Sequence, residues 1–137
     1  MNNHWHTNYR ADQEGPTWFH FAIQPHAAYD PLAATRFGVD STEPLLVAPA
    51  VGDAPKPARL RIEPPSVIAT AFKPSDDGKA LIVRLFNPTD QPQSARLNWS
   101  QPVRHTWLSS AREEQDQEAP ATIPVASLDT VTLRVEQ

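Results

Sequence analysis

The residues best equipped for chemistry stand at the start of this chain. In MNNHWHTNYRADQEGP, His4 and His6 flank Trp5, and Tyr9, Asp12 and Glu14 follow closely. Side chains two apart on an extended strand share a face, so the two imidazoles would lie together. With Asp12 they could open a zinc or copper site. No third ligand stands at a defined spacing, and nothing ties His20 or His26 to the pair. The pair therefore reads as hydrogen-bonded histidines at a surface or interface, and no metal site is assigned.

Two acidic pairs, Asp12 with Glu14 and Asp76 with Asp77, raise the chemistry of glycoside hydrolysis. That reaction needs carboxylates facing each other across a sugar, roughly 5 to 9.5 Å apart. Neighbours in one loop rarely achieve this, and Asp76-Asp77-Gly78 is sufficiently explained as a turn. No catalytic residue is assigned. Arg84 interrupts the apolar run ALIVRLFNP and shares a face with Ile82 and Phe86. A guanidinium placed there requires a partner, because unpaired burial is costly, so Arg84 is expected to be a structural ion pair or loop anchor. Trp99 and Trp107 alternate with polar neighbours as core residues do. Trp5 and Trp18 lie in or beside the polar opening and suit an interface. Asn2, Asn3, His4, Trp5, His6, Asn8, Tyr9, Gln13 and Trp18 together form a candidate interface or sugar-proximal lip.

Composition narrows the remaining classes. With 137 residues the chain has room for one core, and a net charge of −4 supplies no basic field for nucleic acid. Cysteine is absent, which removes disulfides and thiolate metal sites. No apolar stretch approaches membrane-spanning length, and no signal peptide precedes the first residues, so a cytoplasmic location is expected. For the same reason the sequon Asn98-Trp99-Ser100 is read as accidental. Only four glycines are present, and no phosphate-binding loop can be built from them.

These candidate residues must be held by short strands. Fifteen prolines fall mostly between apolar runs, which opposes long helices. Thr17 to Ile23 alternates as a half-buried strand does, with Phe19, Phe21 and Ile23 on one face. Ser66 to Phe72 and Ala80 to Phe86 are apolar at nearly every position, and Asp77-Gly78 between them predicts a hairpin. Ser94 to Trp99, Val103 to Leu108 and Thr130 to Val135 complete the strand set. Ala27 to Phe37 is the one helical candidate, limited by Pro31. AREEQDQE reads as a solvated loop whose acids repel one another. The chain is expected to be one domain over 1–137, with a proline-rich connector at 49–65 that could hide an edge strand at Ala58 to Ile62. The expected class is all-β, a mainly antiparallel sandwich with at most one or two short helices.

Three stretches carry a resemblance. MNNHWHTNYRADQEGPTWFHFAIQPH resembles the start of the terminal β-domain of glycoside hydrolase family 38 α-mannosidases. VIATAFKPSDDGKALIVRLFNPT is similar to that family's later hairpin, with its Lys-Pro turn and Arg-Leu-x-Asn strand. DTVTLRVEQ resembles its closing strand, and the connector is unmatched. The resemblance implies a non-catalytic C-terminal β-sandwich that packs against and supports an N-terminal α/β catalytic domain of the same parent chain, which hydrolyses α-mannosides. The zinc ion, the nucleophilic aspartate and the acid carboxylate belong to that absent domain. No residue here matches those motifs, so the chain alone is expected to be inactive and to hold no cofactor. Self-association of the isolated chain is a further expectation. The alternative is an independent carbohydrate-binding module using Trp5 and Trp18.

Overall fold

The computed structural model describes residues 15–43, 45–47, 49, 52 and 57–137. Eight strands and one helix occur among them: α1 (Pro31–Thr42), β1 (Leu60–Glu63), β2 (Ile68–Pro74), β3 (Leu81–Phe86), β4 (Gln93–Trp99), β5 (His105–Ser109), β6 (Gln115–Glu118), β7 (Ile123–Val125) and β8 (Thr130–Glu136). The strands form two sheets, ordered β1-β4-β7 and β2-β3-β8-β5-β6, with antiparallel pairing throughout. The architecture is a β-sandwich.

The middle of the larger sheet explains the core. β3 is apolar at every position but Arg84 and lies between β2 and β8, with Val83 opposite Leu133 and Leu85 opposite Val131. Alternation turns Val83, Leu85, Leu133 and Val135 toward the second sheet, where they meet Ala95, Ile123 and Val125. Burial of each larger side chain contributes about 2 kcal/mol, which is what holds the two sheets together. β4 meets its expectation: Ala95 is buried, Leu97 and Trp99 are half-buried on the same face, and Arg96 and Asn98 are exposed. Ile82 faces away from this core yet is also fully buried, between its register neighbours Lys73 and Arg134.

The β2–β3 hairpin turns where the sequence asks. Gly78 takes a φ of 69°, a conformation that most side chains disfavour. Asp77 Oδ1 accepts from Ser75 Oγ at 2.6 Å and from the Lys79 amide at 3.0 Å. Beyond β3, Asn87 is fully buried and satisfied. Its Nδ2 donates to the carbonyls of Gln91, Val125 and Ala126, and its Oδ1 accepts from the Thr89 amide and hydroxyl. This asparagine fastens the loop after β3 to the end of β7. It is the Asn of the Arg-Leu-x-Asn stretch.

Three local expectations are corrected. Thr17 to Ile23 is not a strand: the segment is irregular, exposed at every residue and paired with nothing. Alternation supplies an apolar face, but a strand also needs a neighbour to take its hydrogen bonds. The helix runs through Thr42, because Pro31 occupies its first turn instead of ending it. Asp30 caps it, accepting from the amides of Leu32 at 2.9 Å and Ala33 at 3.1 Å. The acidic run is not all loop either. Its second half is β6, an exposed edge strand whose charges suit an edge, and Glu113 in its first half is packed, with only 10% of its side chain exposed. The edge strand within the connector is present as β1, at Leu60–Glu63.

Candidate functional site: an exposed arm and a charged cleft

Two regions stand out for interaction. The first is the segment ahead of the sandwich. Trp18 is 85% exposed, Ile23 88% and Leu46 98%, and Phe19, Phe21, Tyr29, Leu45 and Val47 are also open to solvent. The rings of Phe19 and Phe21 stack, 6.5 Å between centroids. α1 buries no residue, and its Arg36 guanidinium reaches back to the Pro65 carbonyl. Tyr29, Ala33 and Phe37 help line a shallow pocket of about 210 Å³ where the chain turns into the helix. Large apolar side chains exposed in this number within one segment are the kind of feature found at interaction surfaces.

Of the predicted lip, Trp18 is described and lies in this segment. Asn2, Asn3, His4, Trp5, His6, Asn8, Tyr9 and Gln13 lie outside the described residues, as does Asp12. Among the described residues, no three His, Cys, Asp or Glu groups come together as a set that could hold a metal ion. No helix among them is long and apolar enough to cross a membrane.

The second region is a cleft of about 760 Å³ at one end of the larger sheet. Four pieces of chain meet there: the β2–β3 turn, Arg104 just ahead of β5, the β5–β6 turn and the stretch from Arg134 to Gln137. Arg134 on β8 joins the two turns. Its Nη2 donates to Asp77 Oδ2 at 2.7 Å, and its Nη1 to the Glu113 carbonyl at 3.4 Å. Glu113 in turn binds the Lys73 ammonium and accepts from the Asp76 amide at 2.7 Å. Glu113 has a φ of 65°, the left-handed region that few side chains adopt, and these bonds hold it there. Lys73 also pairs with Asp76 at 2.9 Å. The result is a polar clasp over Ile82.

The clasp shows in the titration of its members. The Arg134 guanidinium, then the Ser75 hydroxyl and the Lys79 amide, hold the Asp77 carboxyl well below the usual carboxylate range. Glu113 is lowered, chiefly by Lys73 and then by the Asp76 amide. Lys73 is raised by Glu113 and Asp76. Each shift favours the charged form, as hydrogen bonds to the ion do.

Arg84 is half-buried on β3, and its Nε donates to Thr132 Oγ1 on β8 at 3.2 Å. The better-anchored arginine is Arg134, 8% exposed, which the sequence reading passed over. Its signal was available: in VTLRVEQ an arginine interrupts an apolar alternation just as Arg84 does. The partners of Arg134 could not be found that way, since Asp77 is fifty-seven positions away. Two buried donors have no acceptor among the described residues: Arg134 Nε and Trp107 Nε1, on residues directly opposite each other in β8 and β5.

The comparisons follow this architecture. The sequence model described as Glycosyl hydrolases family 38 C-terminal beta sandwich domain matches residues 66–135, just over half of the chain, from just ahead of β2 to Val135 in β8. Comparison with curated proteins and with solved structures gave no match. The match covers the strands whose register builds the core, the Asn87 anchor and the clasp. The chain thus belongs to the family of glycosyl hydrolase family 38 C-terminal β-sandwich domains.

Proposed function

We propose that the whole chain serves as a single non-catalytic C-terminal unit of an α-mannosidase-like family 38 enzyme, packing against and supporting the catalytic part of the same parent chain. Family membership implies the association with a catalytic part. The observation that carries the mode is the arm: large apolar side chains from Trp18 to Val47 are exposed beside a sandwich that has sealed its own core. Covering two aromatic side chains contributes about 4 kcal/mol, ample for docking between tethered parts. The connector at 49–65, which gives β1 to the sandwich, then ties the docked arm to it, and the polar residues from Asn2 to Gln13 extend the same contact. Zinc and the two reacting carboxylates act in the catalytic part, and no residue of this chain takes a chemical step.

The test is reconstitution. The chain is mixed with a separately produced family 38 catalytic part from the same parent, and association is followed by size-exclusion chromatography and aryl α-mannoside turnover. The chain alone is expected to show no turnover, and the pair to associate, stabilising the catalytic part against heat. A Trp18→Ser, Phe21→Ser variant should lose most of the association. Equal association by that variant refutes docking through the arm. Turnover by the chain alone that a point mutation in it abolishes would overturn the non-catalytic assignment.

A further inference from the structure

β4 is paired along its whole length, but by two strands on opposite sides that each cover half of it. β1 pairs with Arg96 to Trp99, and β7 with Gln93 to Ala95. Parity shows which backbone groups this leaves over. The Ser100 amide donates to the Arg59 carbonyl, continuing the register with β1, so Arg96, Asn98 and Ser100 turn their backbone groups toward β1. Leu97 and Trp99 turn theirs to the opposite side, where β7 would continue. There the chain ahead of Ile123 departs toward the larger sheet, and Ala119 donates to the Thr106 carbonyl at 2.8 Å. Among the described residues, nothing bonds to the amide or carbonyl of Leu97 or Trp99 on that side. The result is an open lane, one strand wide, beside the end of β4.

The lane has an apolar floor. A groove of about 380 Å³ lies along it, lined by Leu97, Trp99, Val103, Ala119, Ala121 and Ile123, with Arg104, His105 and Glu118 also in its wall. Trp99 packs against Phe72 of β2, 6.2 Å between ring centroids, which fixes that end. An unpaired strand edge is a template for an extended peptide, whose backbone supplies the bonds while alternate side chains fill the pockets. Such a peptide needs apolar residues at every second position, and this chain contains one. Phe19, Phe21 and Ile23 alternate, are exposed, and have no strand beside them. The free edges of the larger sheet suit that segment less: β6 carries Asp116 and Glu118, and β2 is bulged between Ala69 and Ala71.

We propose that the lane beside Leu97 and Trp99 takes Thr17 to Ile23 of a second copy of this chain as an added strand. Phe19, Phe21 and Ile23 face the groove, and Trp18, His20 and Ala22 face outward, on the side of Arg96 and Asn98. Pairing satisfies the backbone groups of Leu97 and Trp99 and covers the arm's phenylalanine rings in one step. The contact is a single short strand, smaller than a lasting interface, so association is weak, with half-association on the order of 0.1 mM. A catalytic part competes for the same arm, so this contact belongs to the free chain. The proposal goes beyond the docking reading and does not rest on it.

The experiment is amide hydrogen exchange by NMR on the full chain at about 10 μM and about 1 mM, on either side of that value, with sedimentation at both. The Leu97 and Trp99 amides are expected to exchange roughly fivefold more slowly at the higher concentration, while Asn98, bonded to β1, does not change. Phe19→Ser with Phe21→Ser should abolish both the slowing and the association. Trp18→Ser, on the outward face, should keep both. Ala121→Arg, at the exposed rim of the groove, should block association with an unchanged melting temperature. Equal exchange at both concentrations overturns the proposal, whether the lane stays open or the chain's own arm fills it. So does association that Trp18→Ser weakens as much as the double variant, which would be unselective contact between arms. Association that Ala121→Arg leaves intact also overturns it, because the arm would then be seated elsewhere. No catalytic part is present in these measurements, so this proposal and the docking reading fail separately.

Discussion

The sandwich from β1 to β8 and the arm from Gly15 to Val47 are both rich in large apolar residues and dispose of them in opposite ways. In the sandwich, Val83, Leu85, Leu133 and Val135 are almost sealed from solvent. In the arm, Trp18, Phe21 and Ile23 are open. Alternation is equally clean in both, in TVTLRV as in TWFHFAI. The difference is company: Leu133 lies between β3 and β5, each supplying backbone partners and a facing side chain, whereas no strand lies beside Phe21. Pattern makes a segment able to be a strand, and neighbours make it one.

The comparison can be broken most sharply from the core. Leu85→Ala should cost about 3 kcal/mol of unfolding free energy, read as a lower denaturant midpoint, while Phe21→Ala leaves the midpoint in place. A similar loss for both would mean that the arm is packed in solution.

Arg134→Ala is expected to come second, at about 2 kcal/mol, because it removes charge-assisted hydrogen bonds and cover over Ile82. Arg84→Ala, whose guanidinium has a single hydroxyl partner, should cost less than half as much. A reversed order would show that the clasp contributes little.

Acid and base should act on the sandwich through the same clasp. Asp77 and Glu113 titrate below their ordinary 3.8 and 4.5, so their stabilisation is complete above those values and is lost as pH falls through the depressed ones. Lys73 titrates above its ordinary 10.5, so its share is present below that value and disappears as pH rises further. Thermal midpoints should therefore be level from about pH 5 to about pH 10 and fall on either side. Glu113→Gln should shrink the acid-side fall, and an unchanged profile in that variant would remove Glu113 from the explanation.

The smallest effect concerns removal of the arm. A chain of residues 58–137 should melt within a degree or two of the full chain, having lost, among the described residues, one Arg36 hydrogen bond and no core side chain. It should also self-associate less, measurable by sedimentation at increasing concentration. A large fall in melting temperature would show that the arm belongs to the domain's own core.

Much of the sandwich was legible because its signals are local. Asp77-Gly78 announces its turn, β4 announces its buried face through Ala95, Leu97 and Trp99, and Pro31 with Asp30 fits a helix start once its position is read as the first turn. The interaction surfaces were legible only in part. Trp18 was singled out from its polar surroundings, but Leu45 to Val47 was not, since an apolar run reads the same whether it will be covered or left open. AREEQDQE misled because repulsion was weighed without the cations that answer it: Lys73 and Arg134 stand far from Glu113 in sequence and beside it in the fold.

Alone, the sequence determined what short-range physics controls: the class of fold, the positions of most strands, the hairpin turn, and a family resemblance carried by motifs with fixed spacing. The tertiary structure decided what depends on separation through space. It left Thr17 to Ile23 without a neighbour, brought Asp77, Arg134, Glu113 and Lys73 into one clasp, and opened the cleft beside them. Hydrogen bonds and ion pairs act over a few ångströms, and the spacing of residues along a chain does not say which distant segments a sheet will bring that close.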